Sequence, residues 1–309
     1  MDVVDLLNRL GGVGDARVLV EATSRAALEA AVRDGSVLHI GRGKYALPTA
    51  YEAYREAARL SGVITGASAA AVHGWELKTP PPLPSVTVPL KRNVDKARRD
   101  GADLHWRDIP PEDVQRGVLL PGPTVIDCAR TLPFDEALSI ADSALRHDDV
   151  TKPLLLRLAG QVLTRGRSQA LRVAREATGR AANPLESTLR GIGLDVPRLH
   201  LRPQVMIREG GWSGRPDLVD EGLRLVVEAE SYEFHGNRGA LRRDCRRYTA
   251  LVLLGWTVVR FCWEDVMLAP EYVAETLRIL VEELTSPARR RGPGAQGQVI
   301  VPKPGPLAG

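Results

Sequence analysis

Three acidic side chains within residues 215–230 have spacings that would bring them together in a folded chain. Residues 223–230, LRLVVEAE, alternate with a period of two, so Glu228 and Glu230 project from one face of a strand. Asp217 follows a proline and precedes the turn-like segment 220–222, which places it on the preceding strand of a hairpin. Carboxylate oxygens suit Mg²⁺ or Mn²⁺ rather than zinc. The pattern therefore predicts a divalent-metal site made of Asp217, Glu228 and Glu230.

The strands that must position these acids are apolar. Residues 225–227 and 256–263 have the composition of buried central strands. Acids at the ends of such strands are expected to have a partner, because burying a lone charge is costly. A second interpretation stays open, in which the acids lie on a solvated hairpin edge and the domain is a noncatalytic scaffold.

The acids resemble the metal pocket of the PD-(D/E)xK nucleases, which combines a Pro-Asp on one strand with a Glu-x-Lys on the next. Pro216-Asp217 and Glu228-Ala229-Glu230 occupy those places, with Glu230 where the common form has lysine. A subgroup that looks like the very-short-patch-repair endonucleases carries an acid there, and residues 183–280 are similar to it. The matching segments are 183–190, 232–235, the arginine-rich run to Arg247, and 255–266. The resemblance implies a restriction-endonuclease-like fold whose site lacks the usual water-activating lysine.

A helix is predicted to begin at residue 184. Asn183 can cap it, Pro184 suits its first position, and apolar residues then recur at helical spacing. Glu186 falls in the first turn, where the helix dipole favours an acid. The nuclease resemblance implies another role for Glu186, as an additional glutamate that supports the metal. Both interpretations stay open.

A second helix, over residues 238–254, carries arginines directly after the acids. Its apolar side is predicted to be Leu241, Cys245, Tyr248 and Leu251 or Val252. Its other side carries Arg242, Arg243, Arg246 and Arg247, which are the candidate contacts with a DNA backbone. In the alternative, this side is a solvated helix face on which Asp244 and Arg247 form an ion pair.

The chemistry implied is metal-assisted hydrolysis of a phosphodiester bond. The ion would polarise a phosphoryl oxygen and lower the pKa of the attacking water. Asp217 and Glu228 would be its ligands, and Glu230 a third ligand or a proton acceptor in place of lysine. His235 could act as a general acid or base, because its ordinary pKa lies near neutrality, or it could be structural.

Composition is consistent with an ordinary globular protein that binds nucleic acid. A length of 309 residues predicts two or three domains, and a net charge of +4 permits nucleic-acid binding without requiring it. The cysteines, Cys128, Cys245 and Cys262, lie far apart without paired spacing, which argues for a reducing compartment and against zinc or disulfides. The chain has no apolar run of about 18 residues, and its acidic start is unlike a signal peptide. We therefore expect a cytoplasmic protein without a membrane partner.

The first fifty residues predict three short helices and a hairpin. The helices cover residues 3–10, 16–21 and 25–33, with Ser24 capping the third and Gly35 ending it. Residues 37–40 and 44–47 are short strands joined by a glycine turn. This is the order of a winged helix, whose third helix enters the DNA major groove. The candidate contacts are Arg25 and Arg33 on the helix and Arg42 and Lys44 on the hairpin.

The same segment resembles the N-terminal domain of abortive-infection type IV antitoxin proteins, which are DNA-binding regulators. Residues 65–75, TGASAAAVHGW, resemble the middle part of those proteins. The resemblance implies DNA and a toxin or defence-system protein as partners. Two alternatives stay open for the first fifty residues, a protein-interaction module and a plain helical cap.

The fold class predicted overall is a multidomain α/β protein. Its segments are a winged helix at 1–50, a mixed α+β region at 51–180, a restriction-endonuclease-like α/β domain with a central mixed sheet at 181–285, and a disordered Arg/Gly/Pro-rich tail at 286–309. The predicted function is that of a DNA-binding, divalent-metal-dependent endonuclease. The alternatives are a noncatalytic antitoxin-like transcriptional regulator with a degenerate nuclease fold, a nuclease acting on RNA or branched DNA, and the scaffold named above.

Overall fold

A computed structural model of the chain describes residues 2–10, 12–41, 43–230 and 238–286. Over these residues the protein is mixed α/β, and the chain divides into two compact units, Met1–Gly179 and Arg180–Gly309. None of the described helices combines the length and the apolar character that crossing a membrane requires. The predicted tail lies outside the described residues from position 287 onward.

The first unit begins with short helices and a small sheet and continues into a helical region. Its elements are α1 (Val3–Arg9), β1 (Val13–Asp15), α2 (Ala16–Ala22), α3 (Arg25–Arg33), β2 (Leu38–Gly41), β3 (Lys44–Ala46), α4 (Pro48–Leu60), β4 (Val63–Ile64), α5 (Gly66–Val72), β5 (Ser85–Val88), a 3₁₀ turn (Lys96–Arg98), β6 (Asp103–Trp106), α6 (Pro111–Arg116), α7 (Pro121–Thr131), α8 (Phe134–Arg146), α9 (Lys152–Gln161) and α10 (Arg167–Glu176).

The third helix of this unit begins and ends at the predicted residues. The hydroxyl of Ser24 accepts a hydrogen bond from the amide of Ala27 (3.0 Å), and Gly35 adopts a φ of +82° just after the helix. The predicted hairpin is confirmed as β2 and β3, and β1, which was not predicted, joins it in the sheet order β1-β3-β2. All pairings in this sheet are antiparallel.

One apolar core runs across the predicted boundary at residue 50. Leu7 and Leu19 belong to the same buried cluster as Leu60 and Val86. A second sheet, in the order β4-β5-β6, combines an antiparallel and a parallel pairing. Side chains of α1 to α3 are thus covered in part by the elements that follow residue 50.

The second unit contains the predicted nuclease-like region. Its elements are α11 (Pro184–Gly193), β7 (Arg202–Pro203), β8 (Ile207–Glu209), β9 (Trp212–Gly214), β10 (Leu218–Asp220), β11 (Leu225–Glu230), α12 (Arg238–Leu253), β12 (Thr257–Cys262), α13 (Trp263–Leu268) and α14 (Pro270–Thr285). The sheet has the order β12-β11-β10-β7, with β11 parallel to β12 and antiparallel to β10. It is a mixed sheet, as predicted.

The alternation of β11 divides its side chains between two cores. Leu225 and Val227 pack with buried residues of α11, α13 and α14. Val226 packs on the opposite face, with Leu251 of α12. Because β12 is at an edge of the sheet formed by the described residues and is partly exposed, the prediction that residues 256–263 form a buried central strand was wrong. β11 has a strand on each side and helices on both faces.

Candidate metal and nucleic-acid site

Asp217 and Glu228 meet where β10 begins beside β11. The two strands pair antiparallel with Leu218 opposite Val227, which confirms the predicted hairpin. The amide of Ala229 donates to Oδ2 of Asp217 (2.9 Å), and the amide of Asp217 donates to Oε2 of Glu228 (3.5 Å). Each carboxylate is therefore held by the backbone of the other's strand, and the two negative charges are adjacent.

Glu228 is the buried member of this pair, with 2% of its surface exposed. Burial and the nearby charge of Asp217 raise the pKa of Glu228 to about 8, although Arg247 favours the charged form. Keeping both acids ionised is thus unfavourable within the protein alone. A divalent cation would remove that penalty, because it favours the charged form of both groups.

Arg247 lies against this acid pair and not on the solvated side of α12, so its predicted place was wrong. Its Nη2 donates to Oε1 of Glu228 in a short ion pair, and its Nε is buried without a hydrogen-bond partner among the described residues. The partner of Arg247 is Glu228 and not Asp244. The helix presents Arg247, Tyr248 and Leu251 to the sheet; Tyr248 and Leu251 pack as predicted, whereas Cys245 is exposed.

Glu230 projects from the same face of β11 as Glu228, as the strand period predicted. Its Oε1 accepts hydrogen bonds from the hydroxyl of Tyr248 (2.6 Å) and from Nε of Arg260 (2.9 Å). Burial and the bond to Glu230 raise the pKa of Tyr248 well above its ordinary value, so the phenol stays protonated and can donate. Glu230 is therefore directed to α12 and β12.

Glu186 is buried in the first turn of α11, where Asn183 caps the helix as predicted. Its carboxylate accepts hydrogen bonds from the amide of Ala182 (2.9 Å) and from Nε2 of Gln204 (3.1 Å). The backbone amide of Gln204 in turn donates to the carbonyl of Asp217 (2.8 Å). Gln204 thus connects Glu186 to Asp217. It was missed because a single glutamine beside a two-residue strand gives no periodic signal.

The remaining predicted contacts divide into exposed arginines and residues outside the described part. Arg242, Arg243 and Arg246 are exposed on α12, and Arg25 and Arg33 are exposed on α3. Glu29 lies one turn from each of the two α3 arginines and is exposed with them, which reduces the positive charge of that helix face. Arg42 and His235 lie outside the described residues, as does the side chain of Lys44.

The predicted acids do not gather into one cluster. Among the described residues, no group of three or more His, Cys, Asp or Glu side chains is placed to hold a metal ion. Mg²⁺, however, commonly takes one or two protein carboxylates and fills its other positions with water and phosphate oxygens. Asp217 and Glu228 fit that requirement in ligand type, in number and in their unfavourable adjacent charges.

Comparison with known proteins gives relatives without a described function. No family model matches the chain. Two uncharacterized proteins of Mycobacterium tuberculosis, MT2308 and Rv2248, are each 33% identical to it over 163 residues. The match covers 50% of this chain and 58% of each relative, so the chain spans little more than half their length. The crystal structure of the RV2827C protein from the same species is similar over 60% of this chain and 78% of its own, with 16% identity and a TM-score of 0.29.

Proposed function

We propose that this protein is a DNA-binding endonuclease that depends on Mg²⁺ or Mn²⁺ and hydrolyses phosphodiester bonds. The observation that carries the proposal is the pair formed by half-buried Asp217 and buried Glu228, held by backbone amides in a mixed sheet. The sheet, covered by helices on both faces of β11, supports a restriction-endonuclease-like fold for residues 181–285.

In this proposal Asp217 and Glu228 hold the metal ion, which when bound polarises a phosphoryl oxygen and lowers the pKa of a coordinated water. Glu186 acts through Gln204. The side chain of Gln204 donates to Glu186, and its backbone amide donates to the carbonyl of Asp217, which holds the start of β10 in place. Arg247 pairs with Glu228 in the absence of the ion, although burial and Asp217 still raise the pKa of this acid. The exposed arginines of α12 would contact the phosphates that flank the cleaved bond.

In this proposal the first unit contains a separate DNA-binding module. The element order α1-β1-α2-α3-β2-β3, with the sheet order β1-β3-β2, supports a winged-helix module at residues 1–50. Arg25 and Arg33 on α3 are exposed and available to DNA. A second DNA-binding module would lengthen the time that a nuclease with few base contacts stays on its substrate. A toxin or defence-system partner is proposed from the antitoxin resemblance alone.

A second candidate function is that of a noncatalytic, antitoxin-like transcriptional regulator. The observation that favours it is the pairing of both β11 glutamates with arginines, Glu228 with Arg247 and Glu230 with Arg260. Such pairs satisfy the acids without any metal, as in a nuclease fold that no longer cuts. The two candidates share DNA binding and differ in metal binding and cleavage.

The test is incubation of the purified protein with plasmid, linear, branched and single-stranded DNA and with RNA, in Mg²⁺ or Mn²⁺. Cleavage by the wild-type chain that is lost with Glu228→Gln and with a chelator supports the endonuclease. Glu221→Gln, on an exposed acid at the same hairpin, is the matched control and should cut as the wild type does. DNA retention without cleavage of any substrate would instead favour the regulator.

A further inference from the structure

Two neighbouring side chains contact one carboxylate oxygen of Glu230, Oε1. Arg260 approaches its Oε1 with both Nε (2.9 Å) and Nη2 (2.8 Å), and the hydroxyl of Tyr248 reaches the same oxygen at 2.6 Å. Hydrogen bonds between ionised groups are strong, so displacing this guanidinium from Glu230 would be costly. An ion that used Oε1 of Glu230 as a ligand would therefore have to displace Arg260.

Arg260 is held beside the acid pair by three features. Arg260 of β12 lies opposite Glu228 of β11 in the parallel pairing of these two neighbouring strands. Its guanidinium carbon lies 4.4 Å from the centre of the Tyr248 ring, at a distance that permits a cation–π interaction. Glu230 binds one edge of the same guanidinium. Together they fix both the position and the orientation of this cation.

The guanidinium of Arg260 keeps donors for a further acceptor. The side chain is 40% exposed, and its only hydrogen-bond partner among the described residues is Glu230. A guanidinium has five N–H groups in a planar fork that matches the geometry of phosphate oxygens. Arg247 differs, because its guanidinium is directed to Glu228 and is less exposed.

We propose that Arg260 is a phosphate-binding residue of the active site, and that Glu230 is a positioning residue that holds Arg260 rather than a metal ligand. Residue 230, where the common nuclease motif has lysine, is acidic in this chain. The cation beside the acid pair would instead be Arg260, on the neighbouring strand β12. This inference rests on the proposed function, because it assigns the phosphate to the substrate of that site. It replaces the predicted role of Glu230 as a third ligand or proton acceptor.

Two measurements on the full-length protein test this assignment. The first is Mn²⁺ binding by titration calorimetry, in which Glu230→Gln should keep the wild-type Kd within about twofold, while Asp217→Asn loses binding. The second is binding of a short labelled DNA duplex in chelator, followed by fluorescence anisotropy. Arg260→Ala should weaken it about tenfold, the loss expected for one charge-assisted contact. Arg202→Ala, which breaks an exposed ion pair on β7, is the control and should change it little.

The effect of Glu230→Gln on DNA binding separates positioning from simple repulsion. Removing an acid would by itself tighten DNA binding, so a loss of affinity is the sign of a displaced Arg260. We expect that loss in the wild-type background and its disappearance in the Arg260→Ala background. Arg260→Lys, which keeps the charge without the fork, should lie between wild type and Arg260→Ala, with thermal unfolding confirming that each variant is folded.

Two results would overturn the inference. One is a loss of Mn²⁺ binding by Glu230→Gln as large as that of Asp217→Asn, which would make Glu230 a ligand. The other is tighter DNA binding by Glu230→Gln whether or not Arg260 is present. A wild-type chain that fails to bind Mn²⁺ would contradict the proposed endonuclease. The DNA-binding measurements need no metal, so the anisotropy results would still decide the role of Glu230.

Discussion

Glu228 makes the stability of the protein depend on pH in a direction opposite to that of most carboxylates. Its pKa rises from an ordinary value of 4.5 to about 8 in the folded chain, because of burial and of Asp217. Between these two values the folded state therefore binds more protons at this group than the unfolded state does. The stability associated with protonated Glu228 is fully present below pH 4.5 and is lost as pH rises through 8.

Glu228→Gln should remove this dependence, because glutamine imitates the protonated acid at every pH. In chelator, we expect the variant to gain stability relative to wild type on going from pH 5 to pH 9, by on the order of 4 kcal/mol. Urea unfolding at the two pH values measures the difference. Glu221→Gln, an exposed acid at the same hairpin, should show no comparable change. Equal pH dependence in Glu228→Gln and wild type would contradict the raised pKa.

Single residues were predictable where a local rule fixes them. Ser24 and Asn183 cap helices because their side chains reach amides three residues ahead, and the period of β11 put Glu228 and Glu230 on one face. Arg247 was misplaced because α12 carries arginines on more than one side, so composition does not decide which side faces the sheet. Its partner, Glu228, is set by the packing of a helix on a distant strand, which no local pattern reports.

At the scale of elements, the capped start of α11 anchors Glu186 and, through Gln204, Asp217. Oδ1 of Asn183 accepts a hydrogen bond from the amide of Glu186 at 3.0 Å. Asn183→Ala should therefore lower the free energy of unfolding by about 1 kcal/mol, the usual cost of a lost N-cap, measured by urea unfolding. Asn183→Ser retains a capping oxygen and should lose much less. An alanine variant as stable as wild type, or a serine variant as weak as alanine, would argue against this role of the cap.

Long elements were predictable, and several of the shortest strands were not. The helix over residues 25–33 has the predicted bounds, and β11 and α12 were predicted near their observed limits. The strands β1, β7, β8 and β9 have only two or three residues each, too few to show a period. They form because tertiary neighbours supply their hydrogen-bond partners. The prediction that residues 256–263 form a central strand was also wrong because of tertiary packing. An apolar strand can lie at a sheet edge when helices cover it.

At the scale of the whole molecule, the chain has two units, each with its own apolar core. Leu19 is fully buried in the first unit and Leu218 in the second. Leu19→Ala and Leu218→Ala should each cost about 2–5 kcal/mol, but in different units. Scanning calorimetry should then show two transitions, with each variant lowering the Tm of one of them. A single transition that both variants shift equally would contradict separate unfolding.

The central claim is that Asp217 and Glu228 together form a divalent-metal site. The most direct test is titration of the full-length wild-type protein with Mn²⁺ in a calorimeter, beside Asp217→Asn and Glu228→Gln, with Glu221→Gln as the control. We predict one ion bound per chain in wild type and in Glu221→Gln, and loss of that ion in either of the other variants. Binding that survives both single changes, or no binding by the wild-type chain, would contradict the account.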